Sequence, residues 1–369
     1  MQKQKIAIIS VLKPIDDIRS YEKMARSLSV IENIEIHLFG QQTHFRQEYN
    51  EQFIFHAHNL NRFHFISRLM IGFKVFAQLL KVKPKVIVCN THELLIVTVL
   101  NKILFGSKIL YDIQENYYYN LLYQKNYPFL IRLPAALYVR AKEHLLSPFF
   151  DHFILAEKTY MFELSFLKKD FSVLENKTLV PDGWKKKRKT HCYVSFLFSG
   201  TITESNGIYE AIELFRNIQL YQPDSVLIIC GHCPGKKLND YLKSIEGASI
   251  QLIINPTPIS HKKILDQIEH CDFGIVSYRI NKSNEHCMPT KVFEYLALGL
   301  PVLCENGSHW ENIILDKAAG MSFQKNLSDT ESLVKQISSF NHVSDLRHDS
   351  ELVWIEEGEQ LKSIISNLL

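Results

Sequence analysis

The segment Pro289-Thr290-Lys291-Val292-Phe293-Glu294-Tyr295 sets a cation and a carboxylate three residues apart, at the start of a helix that Gly299-Leu300-Pro301 ends. A helix N-terminus draws anions through its free amide groups and its dipole, and Thr290 and Lys291 would reinforce that pull. Glu294 offers two acceptor oxygens, which suit the paired hydroxyls of a ribose. A capped surface helix with an ordinary Lys–Glu pair would carry the same residues. A second candidate is Ser199-Gly200-Thr201-Ile202-Thr203-Glu204-Ser205-Asn206-Gly207, a small-residue loop between the strand Phe196–Phe198 and a helix from about Ile208. Such a loop turns backbone N–H groups toward a phosphate, although it is neither the Walker pattern nor the three-glycine dinucleotide fingerprint. Arg279 follows the strand end Val276-Ser277-Tyr278 and reads either as a further cation at the site's edge or as a surface arginine. His92-Glu93 follows the strand Val86–Cys89 and reads as an acceptor contact or as a helix start.

One constellation competes for a different chemistry. Cys230-Gly231-His232-Cys233 has thiol–disulfide exchange spacing and follows a strand. Pro234 comes directly after it and no aromatic precedes Cys230, so redox function is not expected. A zinc site built from these cysteines with His232 or His261 lacks a second ligand pair. No metal is expected.

The elements that must hold these residues alternate between short β-branched runs and helix-length amphipathic stretches, the pattern of βα units around parallel sheets. The first series of strands is Lys5–Val11, Ile34–Phe39, Phe53–Ala57, Val86–Cys89, Lys108–Tyr111 and His152–Ile154. Helices are expected between them over Ser20–Leu28, Phe65–Leu80, Leu94–Leu104 and Ile131–Leu145. A second series follows at Ser195–Ser199, Val226–Cys230, Ile250–Ile254, Phe273–Val276 and Val302–Cys304. Its helices are Tyr209–Leu220, Lys236–Ile245, Lys262–Cys271, Lys291–Leu298 and Leu327–Ser338. Pro181-Asp182-Gly183, followed by the basic run Lys185–Lys189, makes a hinge between them. The expected fold is α/β, with two doubly wound Rossmann-like domains facing each other across a cleft, over 1–183 and 190–343. A last helix within 344–369 is expected to cross back onto the first domain.

Composition bounds the remaining choices. The chain's 369 residues are 46% hydrophobic and 22% charged, enough for two cores. No run of 18 apolar residues marks a membrane span. Seven scattered cysteines argue against a disulfide framework, and a cytoplasmic location is expected. The net charge of +3 is uneven, because residues 1–189 hold 28 Lys/Arg against 17 Asp/Glu. The basic half suits an anionic partner or simply a solvated helix surface. Asn61–Lys85, Tyr117-Tyr118-Tyr119 and Ile131–Arg140 combine aromatic and basic residues. They suit either a membrane interface or a core helix.

The stretch Pro289–Val302 resembles the donor-site helix of glycosyltransferase family 4, whose members have the GT-B fold and include bacterial surface-polysaccharide transferases. Ser199–Ile208 resembles that family's phosphate loop, Pro14–Arg19 the loop after its first strand, and Tyr111-Asp112-Ile113-Gln114-Glu115 its Tyr-Asp-x-His-Glu segment. The resemblance implies a retaining transfer from a UDP- or GDP-sugar, with no cofactor and no metal, to a glycan or polyprenol-linked acceptor. The basic and aromatic stretches add the expectation of peripheral contact with anionic lipid at the inner face of the plasma membrane, and no nucleic-acid partner is expected because no recognition module is visible. Arg19, Glu115 and His286 take the catalytic positions, and Asp17, His92 and Glu93 the acceptor side. The donor site comprises Gly200, Thr201, Asn206, Gly207, Tyr278, Arg279, Pro289, Thr290, Lys291 and Glu294. Three departures stand out: His286 at a position often glutamate, with Glu285 beside it; Glu204-Ser205-Asn206 where Arg and Lys are usual; and Gln114 for histidine. Because Gln cannot act as a base, the alternative is a non-catalytic nucleotide-sugar-binding or scaffold protein of the same fold.

Overall fold

The computed structural model describes residues 3–43, 51–59, 65–124, 128–167, 170–187, 193–340 and 345–369, with the side chains of 65–69 left out. The chain divides into two compact units, Met1–Asn176 with Trp354–Leu369, and Lys177–Val353. The divisions fall at 176/177 and 353/354, against the boundaries near 183–190 and 343 read from the Pro-Asp-Gly turn and the charge run. Lys177 and Thr178 reach back to the second unit, where Lys177 Nζ donates to the Ser350 carbonyl and Thr178 pairs with Val353.

In the first unit, β1 (Gln4–Pro14) leads into a π-helical stretch, Ile18–Ala25, and then α1 (Arg26–Leu28). There follow β2 (Ile34–Gln41), β3 (Phe53–His58), α2 (Phe65–Val82), β4 (Val86–Cys89), α3 (Leu95–Phe105) and β5 (Lys108–Ile113). The unit continues with α4 (Tyr117–Tyr123), α5 (Phe129–Leu146), β6 (His152–Leu155), α6 (Tyr160–Glu163) and β7 (Phe171–Val173). Its seven strands are all parallel, in the order β3-β2-β1-β4-β5-β6-β7. Ile6–Ile9 on β1, Val86–Cys89 and Ile109–Tyr111 are 0–1% exposed, as strands covered on both faces must be. The C-terminal helix Glu356–Leu368 packs on the π-helical stretch and α1. There Gly358 lets the backbone approach Ser27, and Trp354 Nε1 donates to Ser27 Oγ at 3.2 Å.

The second unit runs β8 (Ser195–Thr201), α7 (Ile208–Gln219), β9 (Val226–His232), α8 (Lys236–Ser244), β10 (Ile250–Asn255), α9 (His261–His270) and β11 (Phe273–Val276). It ends α10 (Thr290–Ala297), β12 (Val302–Glu305), α11 (Glu311–Asp316), β13 (Gly320–Phe323) and α12 (Thr330–Ser339). Its six parallel strands are ordered β10-β9-β8-β11-β12-β13. Two cores sandwich this sheet. One joins α7 and α12 residues such as Phe215 and Leu333 to Phe196 and Ile229, and the other joins α10 residues such as Val292 and Leu296 to Leu197 and Val302.

Numbered within each unit, both sheets begin 3-2-1-4-5-6, the doubly wound order in which the strand order reverses between the first and fourth strands. Ligands of such sheets lie beyond the carboxyl ends of the strands at that reversal. The strands concerned are β1 and β4 in one unit, β8 and β11 in the other.

Candidate functional site

At the reversal in the second unit, three chain segments meet through contacts that only particular residues permit. Gly200 and Gly207 have φ of 98° and 82°, the left-handed region that glycine tolerates. A Cβ at Gly207 would stand 1.4 Å from the Ser277 carbonyl oxygen, so the start of α7 lies hard against the end of β11. Ser277 Oγ donates to the Gly207 carbonyl at 2.8 Å, and Arg279 N to the Ser205 carbonyl at 3.1 Å. Asn206 Nδ2 closes the loop by donating to the Thr201 carbonyl at 2.7 Å.

Helix α10 is anchored to the same place from below. Tyr295 is buried, accepts from Ser199 N at 3.1 Å and shares a 2.7 Å hydrogen bond with Ser199 Oγ at the end of β8. A Cβ at Gly274 would strike the Tyr295 ring at 2.3 Å, which is why β11 carries glycine there. Lys291 stands one turn before Tyr295 on the same helix face and therefore points at β8. Its Nζ sits 4.3 Å from the Phe198 ring centroid and 5.0 Å from that of Tyr278, with no hydrogen-bond partner. Burial pulls its pKa down to about 7, with Glu294 pulling the other way. Neighbouring rings soften the cost of a dry ammonium without replacing its hydrogen bonds.

The remaining expected donor residues lie on α10 and on the segment between β11 and α10. Glu294 is mostly buried and pairs with His261 Nε2 at the start of α9. Pro289 is the N-cap residue of α10 and gives no side-chain cap bond, and Thr290, the first helical residue, is exposed. Arg279 is committed elsewhere, pairing with Glu204 in the loop and Glu210 on α7. His286 is exposed on the segment before α10, its Nε2 3.6 Å from Glu285 Oε1 and its ring 6.1 Å from that of His309.

The reversal in the first unit is built from charges that answer one another. Asp17 caps the π-helical stretch, accepting from Arg19 N at 3.2 Å and Ser20 N at 3.1 Å. Arg19 is 3% exposed and forks onto Asp112, at 3.0 Å from Nε and 2.7 Å from Nη2, while its Nη1 has no partner. Gln114 Nε2 donates to the same carboxylate at 2.7 Å, which gives the residue standing for histidine a structural bond. Glu115 is exposed and accepts from Asn120 Nδ2 at 2.7 Å.

His92 Nδ1 lies 3.1 Å from the buried Lys142 Nζ of α5, and its Nε2 lies 3.6 Å from Glu93. Burial raises the Glu93 pKa, but His92, Thr91 and Lys142 outweigh it and hold the carboxylate below its usual range. Burial lowers the Lys142 pKa against the pull of Glu93 and Glu143. Asp112, Lys142 and Tyr295 carry these arrangements without having been singled out. Asp112 and Tyr295 lie inside the quoted motifs, whereas nothing in the spacing of α5 marks Lys142 as buried.

Cys230 and Cys233 are buried free thiols, and burial pushes Cys230 up to about 11 and Cys233 upward, away from thiolate reactivity. Gly231 between them serves packing, since a Cβ there would lie 1.8 Å from the Gly200 carbonyl oxygen. Among the described residues no group of three or more His, Cys, Asp or Glu could hold a metal ion.

Residues 184–353 match the family model described as glycosyl transferases group 1. No curated protein sequence matches the chain. Solved structures are similar over nearly the whole chain. Sucrose-phosphate synthase from Thermosynechococcus elongatus is 13% identical, with a TM-score of 0.71 and 99% of each chain covered. WaaG, a glycosyltransferase involved in lipopolysaccharide biosynthesis, is also 13% identical, with a TM-score of 0.64 over 97% of this chain and 95% of that one. Anabaena HepE in complex with UDP is 10% identical, with a TM-score of 0.62 over 99% and 100%. The architecture is GT-B, two Rossmann-like parallel-sheet domains.

Proposed function

Because the second unit carries a domain of the glycosyl transferases group 1 family, we propose that the chain transfers a sugar, with retention of anomeric configuration, from a nucleoside diphosphate sugar to a glycan or polyprenol-linked acceptor in surface-glycan synthesis. The observation that carries the donor half is Lys291, a buried amine without a hydrogen-bond partner on the helix that packs against the end of β8, where the Gly200–Gly207 loop begins. A diphosphate supplies the missing acceptors, and as charge builds on the leaving group Lys291 and the α7 N-terminus stabilise it. Gly200, Thr201, Asn206 and Gly207 shape that loop, Tyr278 covers the cation, and Pro289 and Thr290 open α10. Glu294 receives the ribose hydroxyls, with His261 holding its carboxylate in place. The HepE complexes hold UDP and UDP-glucose, so uridine nucleotides are the first donors to test.

His286, with Glu285 beside it, is the candidate for contact with the donor sugar. In the first unit, Asp17, His92 and Glu93 are proposed to meet the acceptor, and Arg19 to offer its unpartnered Nη1 to the substrate. Glu115, exposed and hydrogen-bonded only through one described contact, is proposed to face the reacting groups. A panel of uridine and guanosine diphosphate sugars, assayed for turnover and product anomer, tests this reading. Nucleotide binding without transfer or hydrolysis would leave the binding-protein alternative standing. A product of inverted configuration would remove the retaining mechanism.

A further inference from the structure

Helix α5 is amphipathic the wrong way round. Its buried positions include Lys142 and Glu143, whereas Phe129 and Leu130 are 81% and 84% exposed. Ile131, Leu133, Leu137, Tyr138 and Leu145 are exposed too, and only His144 interrupts that face with a polar side chain. Helix α3, which packs against α5, buries Thr98 and Asn101 alongside Leu95 and Val99, while Ile96, Leu100, Ile103 and Leu104 are exposed at i, i+4, i+7 and i+8. On the other side of α3, α2 adds exposed Met70 and Phe73. Three helices packed in series, α2 on α3 and α3 on α5, thus each expose large apolar side chains, more than the singly scattered apolar residues of an ordinary soluble face.

Charge identifies the occupant. Between Phe53 and Tyr111 the chain has eight Lys/Arg and one acidic residue, Glu93; between Asn116 and Lys142 it has four Lys/Arg and none. Lys74, Lys81, Lys83 and Lys85 are exposed beside the apolar helices. Among the described residues no helix is long and apolar enough to cross a membrane. An apolar face rimmed by cations suits the boundary between acyl chains and anionic headgroups, where the face is buried a few ångströms deep and the cations stay with the phosphates.

We propose that the α3–α5 face of the first unit inserts into the interface of an anionic bilayer, with the basic ends of α2 and β4 resting on the headgroups. Two parts of this surface, on α5 and at the end of α2, fall within the stretches Ile131–Arg140 and Asn61–Lys85 read from the sequence, and α3 is added to them. Arg62 lies outside the described residues, as do the side chains of Phe65, Arg68 and Leu69, and Phe76 is half-buried. The proposal does not depend on the sugar-transfer reading, because it rests on exposure and charge alone.

The full chain should co-sediment with vesicles containing about a third phosphatidylglycerol, and part of the binding should survive high salt because apolar insertion is not screened. Leu130→Glu with Leu137→Glu should lower that partition about tenfold or more. The substitutions lie on the exposed face, so calorimetric binding of UDP and the melting temperature should hold. Wild-type protein that fails to bind, binding abolished entirely by salt, or a double variant that binds like wild type would each overturn the proposal. So would a dimer, seen by light scattering, that the same substitutions dissolve, since the face would then belong to a second copy.

Discussion

The two units repeat one topology and treat its reversal point oppositely. In the first, the buried cation Arg19 is neutralised by Asp112, and Lys142 stands among His92, Glu93 and Glu143. In the second, Lys291 has rings around it and no hydrogen-bond partner. A buried charge without a partner is costly, and folding tolerates it where a ligand completes it. On the proposed reading an anion completes the second crevice, whereas the first has settled most of its charge internally.

The largest effect should come from breaking the settled pair. Asp112→Ala strands the Arg19 guanidinium in a dry site and should destabilise the first unit by about 3–5 kcal/mol. Arg19→Met with Asp112→Leu should recover most of that loss, because an apolar pair leaves no charge behind. Chemical denaturation followed by hydrogen exchange of β1 and β5 amides measures both. A cost below about 1 kcal/mol for Asp112→Ala would mean that the pair is solvated in solution and that the contrast between the crevices is smaller than it looks.

Lys291→Met tests the unsettled cation. It should weaken UDP binding by about 2–3 kcal/mol, the worth of hydrogen bonds to a charged group, while leaving the free protein as stable or more so at neutral pH. The sign with pH follows from the lowered pKa. Between about 7 and the ordinary lysine value the unfolded chain binds the proton more readily, so wild-type stability should rise with pH across that window and level off above it. The variant should lack that rise. Diphosphate binding favours the charged form, so UDP binding near neutral pH should take up a proton and weaken as pH climbs, detectable by calorimetry in buffers of different ionisation enthalpy. Binding without proton uptake would show that Lys291 is already charged before the ligand arrives.

Glu294→Ala separates the two halves of the nucleotide. Affinity for uridine and for UDP should fall alike, by about 1–3 kcal/mol, and affinity for inorganic pyrophosphate should not change. An equal loss for pyrophosphate would make the Glu294–His261 pair a support of the helix rather than a ribose contact.

The donor crevice was legible because its parts are local: a proline before a short helix, a small-residue loop, and Lys291 and Glu294 within one turn. Every strand of both sheets with a β-branched run was legible too. The strands β7 and β13 were missed because Phe171-Ser172-Val173 and Gly320-Met321-Ser322-Phe323 carry no β-branched run, and Gly320 lets β13 approach β12 where a Cβ would lie 2.1 Å from the Val302 carbonyl oxygen. The stretch read as a helix over Ser20–Leu28 is mostly π-helical and begins earlier, at Ile18, where Asp17 caps it. Helix α5 stays open between membrane interface and core in the sequence for a physical reason, since hydrophobic periodicity locates an apolar face without saying whether protein or another medium covers it. Its buried Lys142 and Glu143 follow from tertiary partners such as Tyr111, whose hydroxyl donates to Glu143 at 2.8 Å.

The smallest effect is expected at Arg279, and its smallness is informative. The family resemblance places cations around the phosphate loop, where this chain has Glu204, and Arg279 answers that carboxylate and Glu210 from the end of β11. The guanidinium is 42% exposed, so solvent screens both pairs, and Arg279→Ala should cost the free protein less than about 1 kcal/mol. If the pairs persist with ligand bound, UDP affinity should change by no more than that. The loop would then rely on its amides and Lys291 for the diphosphate. A tenfold loss, larger at low salt, would instead show the arginine leaving its glutamates for the phosphates, which calls for the double variant Glu204→Gln with Glu210→Gln. Freed of its partners, Arg279 should then strengthen UDP binding if it can reach the anion. If the double variant leaves affinity unchanged, Arg279 holds the loop to α7 and the buried lysine alone distinguishes the second crevice from the first.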